Sequence, residues 1–249
     1  MELLILGVGD AFTRKNFGTS ALIRTGAGLA LLDCPDPIHR VIAEATERAG
    51  WSVDAHDIHD IIITHLHGDH CNGLESFGFL RRMTRANRPD LPLPRLHCTK
   101  PVADRVWSRL APAMDSPMAD GRRSTLEDYF DLRHLDPDTA SEIAGVTIRC
   151  RFTRHPIPTV GLRLEHGGIT IGWSGDTPFE SGHIDWLGGA DLIVHECNRG
   201  PAHTLREELE DLPEDLRRKI HLIHLPDDFD PERTTMRALR AGDVLAPAN

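Results

Sequence analysis

Short apolar runs separated by amphipathic helical stripes organise this chain of 249 residues. Glu2 to Leu6 reads as a first strand. Ser20 to Arg24 and Leu29 to Asp33 read as two more, joined by a turn at Thr25-Gly26 and Gly28. Ile38, Val41, Ile42 and Ala45 recur at helical spacing. Asp36 is the expected N-cap of that helix, Pro37 its first turn and Gly50 its end. Three consecutive β-branched residues, Ile61 to Ile63, predict a strand covered on both faces. A second helix is expected from near Gly73, with Leu74, Phe77 and Leu80 on one face. Arg81, Arg82 and Arg85 fall on the other, which reads as solvated. Leu96-His97-Cys98 predicts a strand end, with His97 at the surface or behind a site rather than a ligand, and Pro101 to Leu110 a helix.

The second half repeats the alternation. Strands are expected at Tyr129 to His134, Val146 to Thr153 and Asp191 to Val194. Val160 to Glu165 and Ile169 to Trp173 pair as a hairpin around Gly167-Gly168. A helical stretch follows from His203, and Lys219 to Ile223 is one more strand. Residues 111–128 carry no clear period; a lid and a variable connection both fit them.

Composition narrows the class. A hydrophobic fraction of 40% supports an ordinary globular core. No repeat, low-complexity tract or composition break marks a boundary, so residues 1–249 are expected to form a single domain. A net charge of −10 without a long basic run argues against an extended nucleic-acid partner. Five scattered cysteines without a Cys-x-x-Cys are expected to be free thiols of a reducing compartment, which makes the cytoplasm the default. The short apolar start lacks a basic leader and reads as a strand. No run is long enough to cross a bilayer.

The chemistry concentrates just after Ile63. Within six residues the chain presents His65, His67, Asp69 and His70. Two histidines two apart can grip one ion from a strand end; the adjacent Asp69 and His70 suit a second ion close by. Gly68 is expected to let the backbone bend between the pairs. Imidazole and carboxylate are ligands that zinc takes in catalytic sites, and manganese or iron accepts a similar set. Further polar groups sit just past apolar runs: His155, Asp176, the pair His195-Glu196, and His224. Arg14 and Lys15, in the loop after the first strand, fit either a solvated loop or an anion contact.

His65-Leu66-His67-Gly68-Asp69-His70 is the His-x-His-x-Asp-His signature of the metallo-β-lactamase superfamily, which the chain resembles over nearly its full length. The resemblance implies an α/β fold, a four-layer αββα sandwich of two mixed sheets flanked by helices. It implies two Zn2+ ions, with His65, His67 and His155 on the first and Asp69, His70 and His224 on the second. Asp176, in Ser-Gly-Asp-Thr, is the implied bridge. Such a pair lowers the pKa of a water held between the ions, which Asp69 would orient. The presence of Asp176 speaks against the zinc β-lactamases, and His67 against the flavodiiron type.

His195-Glu196 followed by Pro201-Ala202-His203-Thr204 is similar to ribonuclease Z and its phosphodiesterase relatives. That similarity implies Glu196 and His203 as the pair that protonates the leaving oxygen. His224-Leu225-Pro226-Asp227-Asp228 departs from the ribonuclease Z text, and no basic arm for tRNA is visible. A small phosphodiester such as a cyclic nucleotide is therefore favoured over a tRNA end. A lactonase or thioester hydrolase on the same ions is the alternative, as is a non-catalytic metal-stabilised binding protein. A homodimer is a family expectation.

Overall fold

The computed structural model describes residues 1–246. Its first sheet contains β1 (Glu2–Gly7), β2 (Ser20–Thr25), β3 (Gly28–Leu32), β4 (Asp60–Ile62), β5 (Arg95–Thr99) and β6 (Asp131–Leu135) in that spatial order. The second contains β7 (Ser141–Ile143), β8 (Val146–Thr153), β9 (Thr159–His166), β10 (Ile169–Trp173), β11 (Leu192–Glu196), β12 (Ile220–Ile223) and β13 (Arg237–Ala238). β14 (Val244–Leu245) returns to pair with β1 in the first sheet. Each sheet is antiparallel on one side and parallel on the other. β3 to β6 run parallel, as do β10 to β13.

Both faces of each sheet are buried, for different partners. In β1, Leu3 and Ile5 enter the core between the sheets, with Ile148, Leu162, Ile171 and Trp173 opposite. Leu4 and Leu6 point the other way, a consequence of the two-residue period of a strand. There they meet α1 (Ile38–Ala49), while α3 (Leu74–Asn87) and α4 (Lys100–Met114) cover the rest of that face. The single turn α2 (Gly68–Cys71) lies between β4 and α3 in the chain. On the far side, α5 (Ser181–Gly188), α6 (Arg206–Glu210) and α7 (Glu214–Arg217) follow in order. Ile184, Leu187 and Leu209 from the first two of these pack on Ile193 and Leu222. The result is the αββα sandwich of the metallo-β-lactamase fold.

Several expectations need correction. Arg81 is not on a solvated face: it is fully buried, and its guanidinium donates to the carbonyls of His56, Ile58 and Pro92. Five donors in a planar fork let one arginine satisfy the carbonyls of a whole loop. Arg82 and Arg85 are also partly buried, donating to the Tyr129 hydroxyl and the Leu91 carbonyl. Asp36 does not cap α1. Its side chain is exposed, Pro37 occupies the N-cap without a side-chain bond, and Arg40 and Val41 donate to the Pro37 carbonyl. α6 begins at Arg206, so His203 lies in the turn before the helix.

β11 extends through Glu196, which pairs with Ile223, so the His195-Glu196 pair is the strand's end rather than past it. His97 is buried inside the first sheet against Asp60. β7, β13, β14 and α5 were not expected. Residues 111–128 complete α4 and then turn back, with Ser124 and Tyr129 donating to the Met114 carbonyl. This is the end of α4 opposite Pro101, which sits beside His67.

Candidate metal centre

The parallel strands of both sheets deliver their C-terminal ends to one edge of the sandwich, where loops carry polar groups. β3 leads into Asp33, β4 runs into Thr64 and His65, and α2 supplies Asp69 and His70. From the second sheet come His155 after β8, Asp176 after β10, Glu196 at the end of β11 and His224 after β12. Gly175 is required beside Asp176: its φ is +60°, and a Cβ there would lie 2.3 Å from the Val160 carbonyl oxygen. Gly68 acts differently from the expectation. It does not adopt a left-handed bend; a Cβ at Gly68 would meet the Asn72 amide at 2.7 Å, so its small size lets the single turn close.

All seven side chains expected as ligands converge. His65, His67, His155 and Asp176 offer one atom each within 4.8 Å of one another, as do Asp69, His70 and His224. His67 Nδ1 lies 3.1 Å from His65 Nε2 and 3.0 Å from His155 Nε2. Two nitrogens each roughly 2.0–2.1 Å from a tetrahedral cation would stand about 3.3 Å apart, so this spacing suits one ion. Asp176 reaches both groups: its carboxylate is 3.7 Å from His65 Nε2 and 3.5 Å from the Nε2 atoms of His70 and His224. Asp69 stands 3.4 Å from His70 Nε2.

The decisive feature is one unsatisfied atom at the centre of this convergence. His70 Nε2 is buried and has no hydrogen-bond partner. A buried polar atom left unpaired is costly, and one set among the carboxylates of Asp69 and Asp176 and the imidazoles of His65 and His224 is satisfied by a cation. The rings are oriented from behind. His70 Nδ1 is 2.8 Å from Asp33, His224 Nδ1 is 3.1 Å from the Thr19 hydroxyl, and His155 Nδ1 is 3.2 Å from the Ala202 carbonyl. Such outer partners fix the tautomer and face of a metal-binding imidazole. Asp33 and His224 both hold a left-handed φ of 58°, uncommon for residues with a Cβ and concentrated at functional sites. The Asp33 carboxylate is further tied by the Thr64 amide and hydroxyl.

Charge reinforces the geometry. Burial lowers His65 and His67, and burial takes His155 down to about 4, so these rings are held neutral, as ligands must be. Burial alone would raise Asp176, but its interactions with His224 and His70 outweigh it and hold the carboxylate ionised. Burial likewise opposes ionisation of Asp69, yet its approach to His70 Nε2 and that ring's charge keep it below the usual carboxylate range. His70 itself is raised: Asp176 and Asp33 overcome its burial.

Beside this cluster, His203 Nδ1 is 3.0 Å from Glu196, and its ring stacks 5.3 Å from His224. Glu196 is fully buried, accepts from the Thr177 amide, and is pushed up by burial and by Asp176. His195 does not join the cluster; its Nδ1 turns to the Glu196 carbonyl at 2.7 Å. Arg14 and Lys15 lie in a solvated loop held by Asp227, which accepts from both backbone amides and from the Thr13 hydroxyl.

Asp33, Thr19 and the Ala202 carbonyl are the contributors that sequence reasoning missed. For Asp33 a signal existed: a polar residue just past an apolar strand, as Asp176 is. No helix among the described residues is long and apolar enough to cross a membrane. The assembled centre is a divalent-metal site, and on this fold it makes the chain a metal-dependent hydrolase.

Comparison with known proteins agrees. The family model for anti-Pycsar protein Apyc1 matches residues 1–242. The anti-Pycsar protein Apyc1 of Paenibacillus sp. (strain J14) is 30% identical over 244 residues, covering 94% of this chain and 92% of that one. That of Saccharibacillus brassicae is 29% identical over 235 residues, covering 92% and 91%. The metallo-β-lactamase fold protein YhfI from Bacillus subtilis superposes with a TM-score of 0.79 at 16% identity, covering 98% of both chains. With nearly the whole chain matched and the histidine–aspartate centre assembled, the protein belongs to the anti-Pycsar protein Apyc1 family.

Proposed function

We propose that the chain is a dinuclear phosphodiesterase that opens a small cyclic nucleotide. His65, His67 and His155 would hold one ion, Asp69, His70 and His224 the other, and Asp176 both. Zinc suits this nitrogen and oxygen set, and manganese or iron is compatible with it. When bound, the ions supply Lewis acidity toward a phosphoryl oxygen and a water of lowered pKa. The chain's own residues do the rest. Asp69 sits where its carboxylate can orient the attacking water. His203, gripped at Nδ1 by Glu196, has Nε2 left to hand a proton to the departing ribose oxygen. Water adds to phosphorus as the P–O bond breaks, and the product is a nucleoside monophosphate.

One observation carries this reading: the His203–Glu196 pair, 3.0 Å apart, standing against His224 and Asp176. Bond cleavage that expels a poorly leaving alkoxide needs a general acid, and a positioned histidine is the usual one. The test is a panel of cyclic nucleotides, lactones and thioesters with metal-loaded protein. His203→Ala should lower cyclic-nucleotide turnover by about 10²–10⁴-fold, the range of general acid–base catalysis. An unaffected rate removes His203 from the reaction. Faster turnover of a lactone or thioester replaces the phosphodiester, and no turnover of anything leaves a metal-stabilised binding protein.

A further inference from the structure

A second feature opens directly beside His67. A cavity of about 260 Å³ is walled by Leu66, Pro101, Val102, Ile157 and Pro158, with Arg105 and Arg109 among its lining residues. Leu66 comes from the loop between the ligands of the first sheet, and Ile157 and Pro158 from the loop between β8 and β9. Pro101, Arg105 and Arg109 are spaced by four along α4 and therefore share one face. Arg109 also donates to the Asn72 side chain at 2.6 Å, over the turn that carries Asp69 and His70. Both arginines are exposed, and Arg109 has the neutral Asn72 as its side-chain partner, although the chain carries a net charge of −10. Two guanidinium groups thus stand beside a metal centre.

We infer that this cavity is the subsite for the base of the nucleotide, with Arg105 and Arg109 reading the base edge. The inference rests on the phosphodiesterase reading above and deepens it. Three properties decide the occupant. The wall is apolar and built from flat or branched side chains, which suits the face of a planar ring. Guanidinium planes stack on bases and donate to their edges. The side chains offer donors but no carboxylate or amide acceptor, since arginine accepts nothing. An edge bearing carbonyl oxygens, as in uracil or guanine, is complementary; the exocyclic amino groups of adenine and cytosine find no side-chain acceptor. His67 belongs to both the cavity and the metal cluster, so a ring seated here is tethered within reach of the ions.

The experiment compares uridine 3′,5′-cyclic phosphate with the methyl glycoside of ribose 3′,5′-cyclic phosphate, which lacks a base. Wild-type protein, Arg105→Gln/Arg109→Gln and Ile157→Trp are measured on both, with thermal melting to confirm folding. The ratio of kcat/KM for the nucleotide over the base-less ester should fall roughly tenfold in each variant, mostly through KM, the low end of a bidentate base contact. Wild-type protein should also prefer uridine and guanosine cyclic phosphates to that of adenosine. Equal losses on both esters would mean that the arginines hold the phosphate, and unchanged values would mean that they hold nothing; either overturns the subsite. If wild-type protein opens neither ester, the phosphodiesterase reading fails separately. The subsite is then judged by calorimetric binding of uridine 5′-monophosphate, which the double variant must weaken.

Discussion

Strand β4 carries a buried histidine–carboxylate cluster at each end, and the two differ in whether they close. At its start, Asp60 accepts from Arg95 through two nitrogens at 2.6 and 2.5 Å, and lies 2.7 Å from His97 Nε2. The carboxylate has its cation, the cation reaches solvent, and the imidazole has its partner. At the other end, His65, His70, Asp69 and Asp176 meet three further histidines, His67, His155 and His224, without closing, and His70 Nε2 is left over. Composition alone does not separate the two: both are buried, and both mix imidazole with carboxylate. What separates them is satisfaction. A closed set is structural, whereas an open, convergent set is built for a ligand that the polypeptide does not supply.

The sharpest way to break this contrast is to remove a group from each end. Asp176→Ala should abolish turnover, beyond the roughly 10–100-fold expected from an outer partner, and halve or worse the metal content measured by elemental analysis. A chelator should lower the Tm of the wild-type protein, because an ion bound only by the folded state stabilises it. Asp176→Ala should respond far less. If the variant kept its metal and its rate, Asp176 would not link the two sets.

Asp33 tests how far the open end extends. It touches no expected substrate atom, only His70 Nδ1 and Thr64. Asp33→Ala should weaken metal affinity by roughly 10–100-fold, measured by competition with a chromogenic chelator. Unaltered affinity would reduce Asp33 to a strand-end tie.

Asp60→Ala should show the reverse profile. Arg95 is about half exposed and returns its charge to water, so the main loss is at His97, left without its acceptor. Stability should drop by about 1–3 kcal/mol in denaturant titration, with metal content and kcat/KM intact. Loss of metal in this variant would mean that the two ends of β4 are coupled.

The same distinction explains what was legible in the sequence. The ligands were readable because four of them sit within six residues, and the others each follow an apolar run. β8 and β10 were readable to the residue, since each keeps an apolar strand pattern over at least five positions. β13 and β14 have two residues each, too few to carry any period. α5 includes two glycines in eight residues and hides its buried His183, Ile184 and Leu187. Arg81 was misplaced because its charge outweighed its spacing: four past Phe77 and seven past Leu74, it lies on the buried stripe of α3, and only the folded loop at His56 and Pro92 supplies the carbonyls it needs. Asp33 and Thr19 act through distances that the fold creates, 37 and 205 residues along the chain from the imidazoles they steady.

The smallest effect lies in acid. Burial raises the Asp60 carboxyl, but His97 and Arg95 more than offset this and hold it below its ordinary value of 3.8. A carboxylate depressed in the folded state is protonated more readily in the unfolded chain. Folding therefore gains stability from it above the ordinary value, and that gain is lost as the pH falls through the lower folded value. Asp60→Asn removes the titrating group while keeping an oxygen acceptor for Arg95. The stability difference between wild-type protein and Asp60→Asn should thus be constant from neutral pH down to about pH 5, then shrink below about pH 4. Denaturant midpoints measured across that range supply the difference. A gap that stayed constant into acid would show that Asp60 titrates alike folded and unfolded, and that the closed end of β4 is held by packing rather than by charge.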